Sequence, residues 1–210
     1  MKKSFLLLGV CGFAVSAQAS LIANNSFETP SLGPGGYSYN TAGASWIFAN
    51  HSGEAATGSP WFSGSPPDGV QAAFLQNLAG DAAGSDFISQ SLVGLTVSTS
   101  YQFTFFAAMR PGYNADPFNV FLGSNNLGTF TPQSTTFASF TTAPVVASST
   151  TMTLSFVALA PPPGPSINDI DSAIDNVGIQ ALGIPEPGSF ALLGAGLLVL
   201  GSTFKLRQQK

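Results

Sequence analysis

In a chain of 210 residues only 8% of side chains are charged and the formal charge is −4. Five of the six bases lie at the two ends (Lys2, Lys3, Lys205, Arg207 and Lys210), so residues 20–183 carry nine acids against Arg110 alone, a formal −8. That balance excludes nucleic acid as a partner, since phosphate binding needs several Lys or Arg on one face. The low charge does not signal disorder, because apolar alternation is sustained along the chain.

The first element is a short helix for export. Met1-Lys2-Lys3 is a positive start, Phe5–Val15 an apolar stretch too short to span, and Ala17-Gln18-Ala19 a small-x-small cleavage site. Together they read as a secretory signal peptide over residues 1–19, cleaved after Ala19. Cys11 falls inside it, so the exported chain has no cysteine. Its stability must then come from a core, a metal or both, with no disulfide.

Residues 20–183 have the length of one domain and can bury about 70% of their unfolded surface. No helical periodicity of useful length occurs before the tail; short runs rich in Val, Ile, Thr and Phe alternate instead with Gly/Pro/Asn clusters, an all-β pattern. In chain order, strands are predicted at Ser45–Ala49, Gln71–Gln76, Phe87–Leu92, Tyr101–Phe105, Phe118–Leu122, Leu127–Phe130, Thr136–Phe140, Thr151–Phe156 and Ala173–Ile179. Tyr101, Phe103 and Phe105 share one face of their strand, as do Met152, Leu154 and Phe156. Turns fall at Gly33-Pro34-Gly35-Gly36, Ser65-Pro66-Pro67-Asp68-Gly69, Ser124-Asn125-Asn126 and Pro161-Pro162-Pro163-Gly164-Pro165. This spacing favours a two-sheet jelly-roll sandwich over a barrel, and the absence of an internal repeat argues against a solenoid.

The last element, residues 184–210, sets Ile184-Pro185-Glu186-Pro187-Gly188 before a 16-residue apolar run, Ser189–Phe204, and a basic end. At about 1.5 Å per residue the run barely matches a hydrocarbon core of roughly 30 Å, so it reads as a short membrane helix. Positive charge flanking a span stays cytoplasmic, which places everything upstream of Pro185 outside.

Several side chains are candidates for chemistry. Trp61 and Phe62, in a Pro/Gly/Ser loop, and Tyr37 and Tyr39, after a Gly-rich turn, could offer flat aromatic surface to a sugar. For Trp61 the competing reading is a cap on the sandwich. Trp46 lies inside a strand and is expected in the core. Arg110 is expected to pair with an acid, Asp116 being the nearest in sequence, or to grip a polar ligand. Period two in the final strand places Asp175 on the face of Val177 and Ile179, where a carboxylate is costly without a cation or several donors. With one base in the domain, an oxygen-ligand Ca²⁺ site and hydrogen bonding to loop amides both stand as solutions. The neighbouring Asp169 and Asp171 add weight to calcium.

Enzyme signatures are poor. His51 has no His-Glu-x-x-His context and reads as a solvated loop residue; there is no Gly-x-Ser-x-Gly elbow and no exported cysteine. The chain is therefore expected not to be an enzyme.

Pro185-Glu186-Pro187, the short span and the basic terminus, in that order at the C-terminus, resemble the PEP-CTERM sorting tail of exported proteins of Gram-negative bacteria. The resemblance implies processing by a membrane exosortase and residence at the cell surface or in the exopolysaccharide matrix. A second resemblance rests on Asn24-Asn25-Ser26-Phe27-Glu28, Asp68–Gln76, Ile88–Leu92 before Tyr101–Met109, and Ile174-Asp175-Asn176-Val177. These are similar to the galactose-binding-like jelly roll of many carbohydrate-binding modules. There the opening Glu and closing Asp often hold a structural calcium, which implies that role for Glu28 and Asp175; Asn176 stands where many relatives have a second Asp. The combined expectation is an exported matrix or surface protein that binds extracellular polysaccharide. A structural matrix component that binds no sugar is the alternative, and an ice-binding surface protein, for which a regular Thr-x-Thr repeat is lacking, ranks below it.

Overall fold

The computed structural model describes residues 21–159 and 169–183, so the expected signal helix, the Pro165 turn, the Pro185–Pro187 motif and the apolar span lie outside the described residues. Among the described residues no helix is long and apolar enough to cross a membrane. The described residues form twelve strands: β1 Tyr37–Tyr39, β2 Ile47–Ala49, β3 Ser52–Ala56, β4 Gln71–Leu78, β5 Phe87–Val93, β6 Ser100–Met109, β7 Phe118–Leu122, β8 Asn125–Phe130, β9 Ala138–Thr141, β10 Val145–Val146, β11 Thr151–Ala158 and β12 Asp169–Leu182. They make two antiparallel sheets, β1-β3-β4-β12-β6-β10 with β9 also on β6, and β2-β5-β11-β7-β8. This is the all-β jelly-roll sandwich expected from the alternating pattern.

Period-two alternation decides what goes between the sheets. Phe103, Phe105 and Ala107 of β6, Leu75 of β4, Ile174 of β12, Ile88 and Leu92 of β5, and Leu154 and Phe156 of β11 all point into one core. Phe105 is its centre, with its ring 5.1–5.8 Å from those of Phe118, Phe130, Phe140 and Phe156. Full burial of such side chains contributes about 1.5–3 kcal/mol each. Trp46 lies in this core, against Phe27, its Nε1 donating to the Asn24 carbonyl at 2.9 Å.

Three strands were not legible in the sequence. β3 (Ser52-Gly53-Glu54-Ala55-Ala56) has no β-branched or aromatic residue, and β1 and β10 are too short to show alternation. Long-range pairing, β1 to β3, β3 to β4 and β10 to β6, makes them strands.

The final strand departs from strict alternation. β12 pairs with β6 in register up to Asp175, then slips before Gly178, with Asn176 at φ +49°. An extra residue of this kind reverses the faces beyond it. Val177 therefore points into the core, whereas Asp175 keeps the outward face of Ala173, correcting the expectation that Asp175 and Val177 share a face.

Candidate functional site

The outward face of the first sheet carries a second apolar cluster: Ala55 of β3, Ala72 and Phe74 of β4, Ala173 of β12, and Trp61 and Phe62 from the loop between β3 and β4. The antiparallel register aligns Tyr39, Gly53, Phe74 and Ala173 across four strands. Gly53 is required here, because a Cβ would meet the Ser38 carbonyl and lie 2.9 Å from Phe74 Cζ. The vacancy lets the Phe74 ring lie flat, and Trp61 stacks on it with centroids 3.7 Å apart and planes at 9°.

This packing corrects the expectation that Trp61 and Phe62 are exposed loop aromatics. Trp61 is 2% and Phe62 3% accessible, and Phe62 turns its ring against Phe137. Of the two readings of Trp61, the cap describes its position, although it caps the outer face of a sheet rather than the core between the two. The most exposed rings here are Tyr37 and Tyr39, 51% and 40% accessible, set edge-on to Trp61 at 6.0 and 5.7 Å. They stand side by side on β1, 6.2 Å apart at 84°.

Arg110, just beyond β6, completes the face. Its guanidinium lies 4.3 Å over Trp61 and 3.9 Å from the Tyr113 ring, and Nε donates to the Pro60 carbonyl at 3.2 Å. Nη1 faces Asp169 at 3.6 Å and Asp171 at 3.5 Å. The expected pairing with Asp116 is thus replaced by two acids of β12, which alternation sets on the same outward face. Asp171 is fully buried; burial, then the neighbouring Asp169, push its carboxyl up to about 8 against the pull of Arg110. A row of hydrogen bonds runs from the Tyr39 hydroxyl to Gln76 Oε1 at 2.7 Å and from Gln76 Nε2 to Asp169 Oδ1 at 2.8 Å. The phenol of Tyr39 is held above its usual range, mainly by burial. Sequence reading missed Phe74, Gln76 and Tyr113; the spacing of Phe74 and Gln76 around Leu75 was the available signal for the first two.

Glu28 and Asp175 come together on another part of the domain, at the start of β4. Asn24, whose side chain bonds Thr29 N and the Thr29 and Ala44 carbonyls, folds the entry segment so that Glu28 reaches this loop. Glu28 Oε1 accepts from Val70 N at 2.8 Å and Gln71 N at 2.7 Å, and Asp175 Oδ2 accepts from Asp68 N at 3.0 Å. Both carboxylates therefore use the same loop, and the amide-bonding reading of Asp175 accounts for one of its oxygens. Oδ1 is buried without a partner. Burial pushes the Asp175 carboxyl up to about 7 against the amides of Asp68 and Asn176, with the Asp68 and Glu28 carboxylates adding to the rise. An orphaned buried oxygen among three carboxylates fits a hard, oxygen-seeking cation such as calcium. Asp169 and Asp171 do not join this set; they face Arg110.

His51 is not simply solvated. Its Nδ1 lies 3.1 Å from Asp81 and 3.4 Å from Asp86, with the ring still partly open to solvent.

No family model and no curated protein matches the chain. Among solved structures, an apo cyclase from Fischerella sp. is 21% identical with TM-score 0.54, over 76% of this chain and 94% of that one. The carbohydrate-binding module TmCBM61, solved with β-1,4-galactotriose, is 12% identical with TM-score 0.51, over 78% of this chain and 99% of that one. At such identities the likeness is one of fold: the chain shares its jelly-roll sandwich with a carbohydrate-binding module and with a cyclase.

Proposed function

We propose that the outward face of the first sheet binds a glycan chain, and that the protein is an exported surface or exopolysaccharide-matrix component sorted through its PEP-CTERM tail by an exosortase. The observation that carries the binding reading is the pairing of exposed rings with fixed polar groups. Tyr37 and Tyr39 offer apolar surface to the C–H faces of sugar rings, and the row Tyr39–Gln76–Asp169–Arg110 offers donors and acceptors to hydroxyls. Trp61 is the platform beneath: it positions Arg110 and the two tyrosines without touching the ligand. The polar groups are held by one another, which lowers the entropy cost of ordering them on binding. Calcium at Glu28 and Asp175 would tie the entry segment to the last strand and keep β4 in place beneath the site.

The test is retention of neutral and acidic matrix polysaccharides by the full chain and by Tyr37→Ala. Loss of retention in the variant at unchanged folded fraction supports the reading. A wild-type protein that retains no polysaccharide would overturn it in favour of a structural matrix component working by self-association.

A further inference from the structure

Asp116 enters β7 from the loop after Arg110, its carbonyl accepting from Ser172 Oγ at 2.8 Å, and its side chain is fully buried with neither carboxylate oxygen bonded. Asn77, near the end of β4, is 1% accessible; its Nδ2 donates to the Leu159 carbonyl and its Oδ1 is also buried without a partner. Three orphaned oxygens thus lie inside the fold. Asp86, fully buried as well, is close enough to raise the Asp116 carboxyl; its own oxygens accept from His51 N at 2.8 Å and Ser85 Oγ at 2.9 Å, leaving lone pairs on both. Arg110, the one Lys or Arg among the described residues, is committed to Asp169 and Asp171.

A buried carboxylate without a donor is expensive unless it is neutralised by a proton or coordinates a metal. Here burial, then Asp86 and Asp171, push the Asp116 carboxyl up to about 9 against the pull of the nearby Asn77 amide, which places both side chains in one pocket. The oxygens that meet there are hard: two carboxylates and a side-chain amide oxygen. This is the donor type that calcium takes in sixes to eights, with water completing the shell. The geometry points to a calcium site formed by Asp116, Asn77 Oδ1 and Asp86, which ties β4 to the segment entering β5 and the loop entering β7. It is separate from Glu28 and Asp175: Asn77 and Gln71 are six residues apart on β4, about 20 Å at 3.3 Å per residue. It does not depend on the glycan reading.

Calcium alone, added to the chelator-treated full chain, is the probe, with bound equivalents counted by calorimetry and equilibrium dialysis. Asp116→Asn should bind one equivalent fewer than wild type, whatever the count at Glu28 and Asp175, and Asp175→Asn should retain the Asp116 equivalent. Asn77→Asp adds a ligand charge and should tighten that equivalent by roughly tenfold or more. It decides the matter should Asp116→Asn fail to fold. Equal equivalents in wild type and folded Asp116→Asn, or no tightening in folded Asn77→Asp, would overturn the site. Binding of zinc without calcium would overturn it too, since a nitrogen ligand would then draw the ion to His51 and Asp81.

Discussion

Replacing Trp61 with alanine tests the outer-face architecture most directly. The ring is almost wholly buried, lies flat on Phe74, meets Tyr37 and Tyr39 edge-on and carries Arg110 over its face. Truncating a buried Trp to Ala costs about 3–5 kcal/mol, a figure that already includes the lost transfer energy and the cavity left behind. Each aromatic pair contributes about 0.5–1.5 kcal/mol of that, and the contact with Arg110 a further 0.5–2 kcal/mol at most. The indole nitrogen has no hydrogen-bond partner, so no bond is lost with it. Against a typical total of about 5–15 kcal/mol, such a loss shifts a urea midpoint visibly. Polysaccharide retention should fall with it, because Arg110 and the tyrosines lose their support. Tyr37→Ala is the matched control: its ring is half exposed, so it should cost about 1 kcal/mol or less while weakening retention. Urea unfolding and affinity electrophoresis of the two variants measure both quantities. A Trp61→Ala protein within about 0.5 kcal/mol of wild type would refute the stacked, buried arrangement.

Glu54 is fully buried with both oxygens unbonded, and burial, then the Glu28 carboxylate, raise its carboxyl from 4.5 to about 8. The folded state thus holds a proton that the unfolded state releases between those values, so stability is fully present below pH 4.5 and is lost as pH rises to about 8. At about 1.4 kcal/mol per pH unit the loss at pH 7 is of the order of 3 kcal/mol, and in chelator Glu54→Gln should recover most of it at pH 8 and none at pH 4.5. Equal effects at both pH values in a melting series would contradict this. If calcium is held by Glu28 and Asp175, a hundredfold excess over its dissociation constant adds about 2.7 kcal/mol, so Asp175→Asn should lower the melting temperature in calcium and do little in chelator. Equal destabilisation in both would leave Asp175 a hydrogen-bonding residue only. At the C-terminus, mass spectrometry should find the surface pool ending near Pro187, and Glu186→Ala should leave export intact while accumulating the unprocessed membrane-bound form. A surface pool that retains Lys210 would refute exosortase processing.

The amino-acid sequence by itself determined the local physics. Alternation of apolar and polar residues set the faces of β6 and β11, and Gly/Pro/Asn clusters set where strands stop, so the all-β sandwich and the burial of Trp46 and Phe105 could be read directly. The export and sorting proposed for this chain likewise rest on contiguous segments, whose reading needs no fold. What tertiary structure decided is where distant segments meet. Trp61 sits in a loop composition that reads as exposed, yet Gly53 and the β3–β4 register open a bed for it on Phe74, and it is buried. Arg110 is close in sequence to Asp116, but the outward parity of β12 gives it Asp169 and Asp171 instead, leaving Asp116 unpaired inside. Asp175 and Val177 obey period two on paper; the slip at Asn176, set by pairing with β6 and by the Val177 amide donating to the Asn25 carbonyl at 2.8 Å, sends them to opposite faces. Each difference has one cause: side-chain burial and charge pairing in a sandwich are fixed by cross-strand register, a long-range property that composition and local periodicity do not encode.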